Sequence, residues 1–313
     1  MPKVSVIIPT YNRQDMVGEA VQSVLNQTEH DLEVIVVDDG SIDNTRSAIE
    51  SLNDHRVRYF YKTNGGPASA RNFGLNKANG EFVAFLDHDD LWPADFLEVM
   101  VSQLEKRTDY GAAYSPIKLL RNNGSVIKSY KKPENKSGWI TRDLFNKSFV
   151  WTSATIIRKS ALENIWYDET LRQSYEDGDF FLRLSTRIQF LFVEEVEAIK
   201  MEHASNLSAK VGIQPTRILV LERFYFRLGG DKLVPAKIAM RKISHACRKV
   251  AEDKRREGYR TEAITLYKRA IEYWPVDLRL YIGFLKALFL KSINDPKPDW
   301  KMPPPLGDPL SGL

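Results

Sequence analysis

The sequence predicts an α/β fold: a mainly parallel, Rossmann-like sheet flanked by helices, followed by a C-terminal α-helical appendage. Three observations carry this. Over the first hundred residues, β-branched apolar runs alternate with segments of helical spacing, the pattern of strand–helix–strand units. Val83-Ala84-Phe85-Leu86 is apolar without alternation, the mark of a strand covered on both faces. After about residue 208 only helical spacing remains.

Taken in order, Val4 to Ile8 is a strand stopped by Pro9, and Met16 to Asn26 sets Val17, Ala20, Val21, Val24 and Leu25 on one helical face. Leu32 to Val37 is the second strand. Asp43 or Asn44 caps a helix that reaches about Asn53. Val57 to Tyr61 is the third strand, and Pro67, at the favoured first position, opens a helix to about Asn79. The acidic strand follows, then a helix from Pro93 to about Lys106. From Gly111 the alternation ends. Ala112 to Leu120 reads as one strand, joined by the turn Arg121-Asn122-Asn123-Gly124 to a partner over Ser125 to Tyr130. Ser153 to Ile157 and Phe190 to Val193 read as strands, and Asp177 to Arg187 as a helix. Farther on, Pro235 to Lys254 pairs an apolar stripe with Lys237, Arg241, Lys242, Arg248 and Lys249. Ala263, Tyr267, Ala270 and Pro275 have the spacing of one tetratricopeptide hairpin, too little for a solenoid. Leu278 to Lys291 is a strongly apolar helix, in which Leu280, Phe284, Leu285 and Leu288 are candidates to pack on that hairpin. The expected division is an α/β domain over 1–208, a helical region over 209–294 and a Pro-rich tail over 295–313.

Bulk properties narrow the function. With 43% apolar and 27% charged residues the composition is that of an ordinary globular protein. A net charge of +4 is too mild to point to nucleic acid. A lone cysteine, Cys247, leaves no disulfide framework and no cysteine-based metal site. The first residues lack a secretory leader and no run of about eighteen apolar residues predicts a spanning helix, so the expected location is cytoplasmic.

The chemistry gathers where the acidic strand ends in Asp87-His88-Asp89-Asp90. A turn there can converge Asp87 and Asp89, and converging carboxylates repel unless a divalent cation lies between them. Oxygen ligands favour Mg²⁺ or Mn²⁺. Such a cluster is a weak signal alone. It gains weight from Pro9-Thr10-Tyr11-Asn12-Arg13, Asp38-Asp39-Gly40-Ser41 and Asn64-Gly65-Gly66-Pro67-Ala68-Ser69-Ala70-Arg71-Asn72, which stand at the carboxyl ends of other strands or open the following helix. Open α/β sheets bind ligands at those ends.

That order and spacing resemble glycosyltransferase family 2, the inverting nucleotide-sugar transferases of the GT-A fold. Ser174-Tyr175-Glu176-Asp177-Gly178-Asp179-Phe180 and Glu202-His203-Ala204-Ser205-Asn206-Leu207-Ser208 extend the match, which spans about residues 3–208. The resemblance implies transfer of one sugar from a nucleoside diphosphate, with UDP favoured, to a hydroxyl of a glycan or glycolipid. It implies that Asp89 and His203 hold the metal and that Asp87 meets the ribose or a metal-bound water. The donor site it implies comprises Pro9, Thr10, Tyr11, Arg13, Asp38, Asp39, Gly66, Arg71, Asp87 and His88, with Tyr11 under the base, Asp39 on the uracil imide and Arg71 on base or phosphate. Asp38 has the alternative role of holding the turn. Asp177 matches the family's general base, with Glu176 and Asp179 tuning it or touching the acceptor. The family often carries Arg two residues before the late histidine; Met201 stands there, beside Lys200. Trp151 is the one aromatic residue singled out for the acceptor side.

Rival readings separate on the sequence. A sugar nucleotidyltransferase needs an early Gly-rich, basic phosphate loop after the first strand, and none is present. A degenerate, scaffold-like transferase has no use for Asp89, Asp177 and His203 together. For the helical region two readings stay open: contact with an anionic membrane, or packing within the protein or a homodimer.

Overall fold

The computed structural model describes residues 1–121, 124–130, 136–171, 175–202 and 215–289. Contacts divide it into two compact units, 1–144 with 148–204, and 145–147 with 205–313.

In the first unit, β1 (Val4–Thr10), β2 (Leu32–Asp38), β3 (Val57–Tyr61) and β4 (Phe82–Phe85) are parallel in the spatial order β4-β1-β2-β3. Every residue of β1, β2 and β4 is buried; β4 is an unbroken apolar run, while β1 and β2 also bury Ser5 and Glu33, which are hydrogen-bonded to each other at 2.7 Å. The chain winds outward from β1 to β3 and returns on the other side of β1 as β4. That reversal is the topological switch at which open sheets bind ligands. Helices cover both faces. Val4, Val6 and Ile8 pack with Val17, Val21 and Val24 of α1 (Val17–Leu25) and with Phe96, Leu97 and Met100 of α4 (Phe96–Glu105). Ile7, Ile35 and Val37 point the other way, in a core shared with Ala68 and Ala70 of α3 (Pro67–Lys77) and Phe180 of α6 (Glu176–Leu184). Gly74 of α3 sits so close to β1 that a Cβ there would lie 2.4 Å from Ile7 Cγ2.

The sheet continues beyond β4 through β9 (Thr155–Arg158), β6 (Tyr110–Tyr114) and β10 (Gln189–Phe192), with β9 antiparallel to both its neighbours. A second sheet orders β5 (Asp90–Leu91), β11 (Ala198–Glu202), β7 (Ile117–Arg121) and β8 (Val126–Ser129). The remaining helices of this part are α2 (Thr45–Glu50) and α5 (Thr141–Asn146).

Two expectations need correction. Ala112 to Leu120 is two strands: β6 ends at Tyr114, the chain breaks at Ser115-Pro116, and β7 belongs to the other sheet. Proline has no N–H to give a ladder, so the strand leaves its sheet there. The strand expected from Ser153 starts at Thr155, because Thr152–Ala154 forms a 3₁₀ turn. The Ser125 to Tyr130 partner is observed as β8, antiparallel to β7. Both residues expected to cap α2 take part: Asn44 occupies the cap position and Asp43 Oδ1 accepts from the Thr45 N–H at 3.1 Å.

The second unit contains α7 (Pro215–Arg227), α8 (Ala236–Arg256), α9 (Arg260–Tyr273) and α10 (Leu278–Leu288). Glu222 accepts from Arg269 Nε at 2.8 Å and Nη2 at 2.6 Å and from Tyr273 Oη at 2.6 Å, with all three residues buried. Arg248, expected on a basic outer face, is buried and paired with Glu252. Leu280 packs inward, whereas Leu285 is exposed. Among the described residues no helix is long and apolar enough to cross a membrane. The tail from 295 lies outside the described residues.

Candidate active site

The site is built at the carboxyl ends of β1, β2 and β4. Two loops are stitched first. Asn12 N–H donates to Ser41 Oγ at 2.8 Å, and Asn12 Oδ1 accepts from Ile42 N–H at 2.9 Å, tying the end of β1 to the turn after β2. Tyr11 stands 47% exposed beside this stitch, so it is no core residue. Thr10 is buried, and its Oγ1 makes no hydrogen bond.

Asp38 is spent on the turn: Oδ1 accepts from Ser41 N–H at 2.7 Å and Oδ2 from Tyr59 Oη at 2.6 Å. Asp39 performs a second structural task. Its carboxylate accepts from Lys62 Nζ at 2.7 Å, Gly65 N–H at 3.0 Å and Gly66 N–H at 2.7 Å. Gly66, with φ of 90°, caps α3 in a conformation that favours glycine. Gly65 N–H is shared with the second Asp39 oxygen at 3.2 Å, so the carboxylate takes four hydrogen bonds, about as many as it can accept.

His88 is fixed by its partners. Pro9 C=O can only accept, 3.2 Å from Nδ1, and Arg13 Nε can only donate, 3.1 Å from Nε2. The ring is therefore the neutral Nδ1–H tautomer, and burial depresses its pKa further. Arg13 and His88 together bolt β1 to the acidic turn across the switch point.

Asp87, Asp89 and Asp90 bring carboxylate oxygens within 4.8 Å of one another. The turn that does this is closed by Asp90 N–H donating to Asp87 C=O at 3.0 Å and anchored by Asp87 N–H on Ser153 Oγ at 3.1 Å. Buried Asp90 has an Oδ1 without a hydrogen bond, and Lys200 Nζ of β11 lies 3.6 Å from it. Burial drives the Asp90 carboxyl up to about 7 against the pull of Lys200. Three hard oxygen donors, one with an unsatisfied buried atom, fit Mg²⁺ or Mn²⁺.

Arg71 joins this cluster to the opposite wall. It is buried, not a solvated surface arginine, and donates Nη2 to Asp87 Oδ1 at 2.8 Å and Nη1 to Glu176 Oε1 at 2.9 Å. Its guanidinium lies 5.3 Å from the centre of the Tyr167 ring, and Tyr167 stacks on Phe180 at 4.0 Å. Burial opposes its charge, but the carboxylates of Asp87 first and then Glu176 hold it protonated. In the same way Arg71 and then Lys200 overcome burial to keep Asp87 below the usual carboxylate range.

Glu176 and Asp177 occupy the first turn of α6, whose cap, Tyr175, is left-handed at φ 70°. Asp177 Oδ1 accepts from Gly178 N–H at 2.6 Å. Burial, with Glu176 next, pushes its carboxyl up to about 6. Asp179 is set apart from this chemistry: it is buried and paired with Arg183 one turn on, at 2.6 Å. Trp151 packs half-buried in the core beside Tyr130. His203 lies outside the described residues. Asp90 and Lys200 were not assigned roles from sequence. The signal for Asp90 was its place in the acidic run; nothing local marks Lys200, because only the β5–β11 pairing sets it opposite Asp90.

The model of "Glycosyl transferase family 2" matches residues 5–166, more than half the chain. The chain belongs to glycosyltransferase family 2. It is 34% identical, over 62% of its length and 67% of the relative's, to the GalNAc(5)-diNAcBac-PP-undecaprenol beta-1,3-glucosyltransferase of Campylobacter jejuni. It is 48% identical, over 59% of its length, to a Rickettsia bellii glycosyltransferase, of which it spans only 26%. Among solved structures, S. aureus TarS (residues 1–349) with UDP-GlcNAc superposes with a TM-score of 0.63 at 21% identity, covering 91% of this chain and 88% of that one. The fold is thus the GT-A fold, and the protein is a glycosyltransferase.

Proposed function

We propose that this glycosyltransferase moves one sugar, with inversion, from a UDP-sugar to a hydroxyl of a glycan or lipid-linked glycan. The observation that carries the proposal is the Arg71 bridge, which puts the acidic cluster and the Asp177 turn in one electrostatic unit. In this reading the base lies on exposed Tyr11, and its imide N–H is accepted by Asp39. Asp38, Arg13 and His88 keep the loops in place without touching the donor. Asp89, with Asp87 and Asp90, would hold a divalent cation, which supplies neutralisation of charge developing on the diphosphate leaving group. Lys200 adds a fixed cation on the same side.

The acceptor hydroxyl is a poor nucleophile and must lose its proton to a placed base. Asp177 takes that role, because a carboxyl held near 6 is ionised at neutral pH yet basic enough to accept a proton. Glu176 raises Asp177 electrostatically while Arg71 restrains it, so the pair sets basicity. Attack from the face opposite the leaving group gives inversion. A lipid-linked acceptor is supported by the undecaprenol-linked substrate in the name of the Campylobacter jejuni relative.

The test is calorimetric titration of UDP, GDP, dTDP and CMP with Mn²⁺, Mg²⁺ or EDTA. Expected is UDP binding that needs the cation and is lost in Asp89→Ala. Equal binding of every nucleotide in EDTA, or none in any condition, would sink the donor assignment.

A further inference from the structure

We propose that the outward face of α10 seats on an anionic lipid bilayer. Helix α10 turns Leu280, Gly283 and Ala287 inward. Gly283 lies against α9 so tightly that a Cβ there would sit 2.4 Å from the Tyr267 ring. The opposite face is apolar as well. Leu278, Ile282 and Leu285 are 75%, 54% and 52% exposed, and Phe289, just past the helix end, is 87% exposed. Tyr281 stands exposed beside them. Their spacing of four, three and four residues forms one continuous stripe, about 16 Å long at the helical rise. A contiguous apolar patch of this kind marks an interaction surface, whereas scattered exposed leucines do not.

Charge decides the occupant. The helix holds Arg279 and Lys286 on its outer side; its cap residue, Asp277, is acidic and paired with Arg279 at 2.7 Å, so Lys286 is the cation of the stripe that this cap does not neutralise. Residues 205–313 contain 21 Lys and Arg against 11 Asp and Glu, a net charge of +10, while residues 1–204 contain 24 against 30, a net charge of −6. The modest total therefore hides a strongly basic unit. Stacking two copies stripe to stripe would set one +10 unit against another, which electrostatic repulsion opposes. A nucleic acid would satisfy the charge and leave the stripe in water. An anionic bilayer satisfies both: aliphatic and aromatic side chains enter the headgroup–acyl boundary, tyrosine sits at the interface, and cations meet lipid phosphates.

The experiment is flotation of the full chain with phosphatidylcholine vesicles and with vesicles containing about one third phosphatidylglycerol. These vesicles carry no sugar acceptor and the assay no donor, so failure here leaves the transferase reading untouched. Expected is binding to the anionic vesicles at low salt that weakens several-fold at high salt. It should fall at least tenfold in Ile282→Glu/Leu285→Glu. Leu278→Glu/Phe289→Glu, at the most exposed ends of the stripe, gives an independent variant should the first fold poorly, with circular dichroism as the check. No flotation with anionic vesicles would overturn the proposal, as would flotation unchanged in a folded variant. A dimer in light scattering that the variants split, without vesicle binding, would overturn it in favour of a second copy.

Discussion

Asp177 carries the sharpest single-residue expectation. Its folded-state pKa is raised to about 6, so the folded protein binds a proton more tightly than the unfolded chain. Above pH 6 the ionised carboxylate costs stability, and that cost disappears as pH falls below the unfolded value. Asp177→Asn removes the charge. The expected result is turnover lower by about 10²–10⁴-fold with a melting temperature equal to or above that of the wild type. Loss of activity accompanied by a lower melting temperature would mark Asp177 as structural. The same raised value predicts that kcat/KM declines about tenfold per pH unit below about 6, as the base protonates. A profile flat from pH 7 to pH 5 would remove Asp177 from the base role. Arg71→Met tests the other half of the bridge. It leaves Asp87 and Glu176 facing each other without their cation. Stripping one partner from a buried ion network costs about 3–5 kcal/mol, which denaturant unfolding would register.

At the scale of elements, the parts that were legible in the sequence are those whose burial is local and regular. β4 was readable because residues covered on both faces leave an unbroken apolar run, β1 and β2 because β-branched residues dominate them around the polar Ser5 or Glu33, and α1 because its inward residues recur with the helical period. The acidic cluster was readable because one turn makes it. What escaped depends on pairing between distant segments. β11 carries Lys200 to Asp90 across more than a hundred residues, and the break at Pro116 sends one apolar stretch into two sheets. Asp39 is a similar case: its partners Gly65 and Gly66 belong to another loop, so its structural work could not be seen from Asp-Asp-Gly-Ser alone. The contact of α3 with β1 gives an element-scale test. Gly74→Val places branched carbon where Ile7 already stands, so it should destabilise the first unit by about 1–3 kcal/mol or more, read as a lower denaturant midpoint.

For the whole molecule, the two units make ligand binding readable in a way a single domain would not. The residues proposed for the donor and cation sites, from Pro9 to Lys200, all belong to the first unit, while the Glu222–Arg269–Tyr273 network belongs to the second. A ligand stabilises what it binds by mass action, about 2.7 kcal/mol at a hundred times its dissociation constant. UDP with Mn²⁺ should therefore raise the calorimetric transition that Gly74→Val lowers, by several degrees at such saturation. It should leave in place the transition that Glu222→Ala lowers, since that substitution strands Arg269 in the second unit at a cost of about 3–5 kcal/mol. Chelation should cancel the rise, as should Asp89→Ala, because repulsion among the clustered carboxylates is what the cation relieves. If both transitions rise together in every variant, the units melt as one body and the separation fails. If only the second rises, the donor does not bind where the acidic cluster lies, and the reaction must be sought elsewhere in the chain.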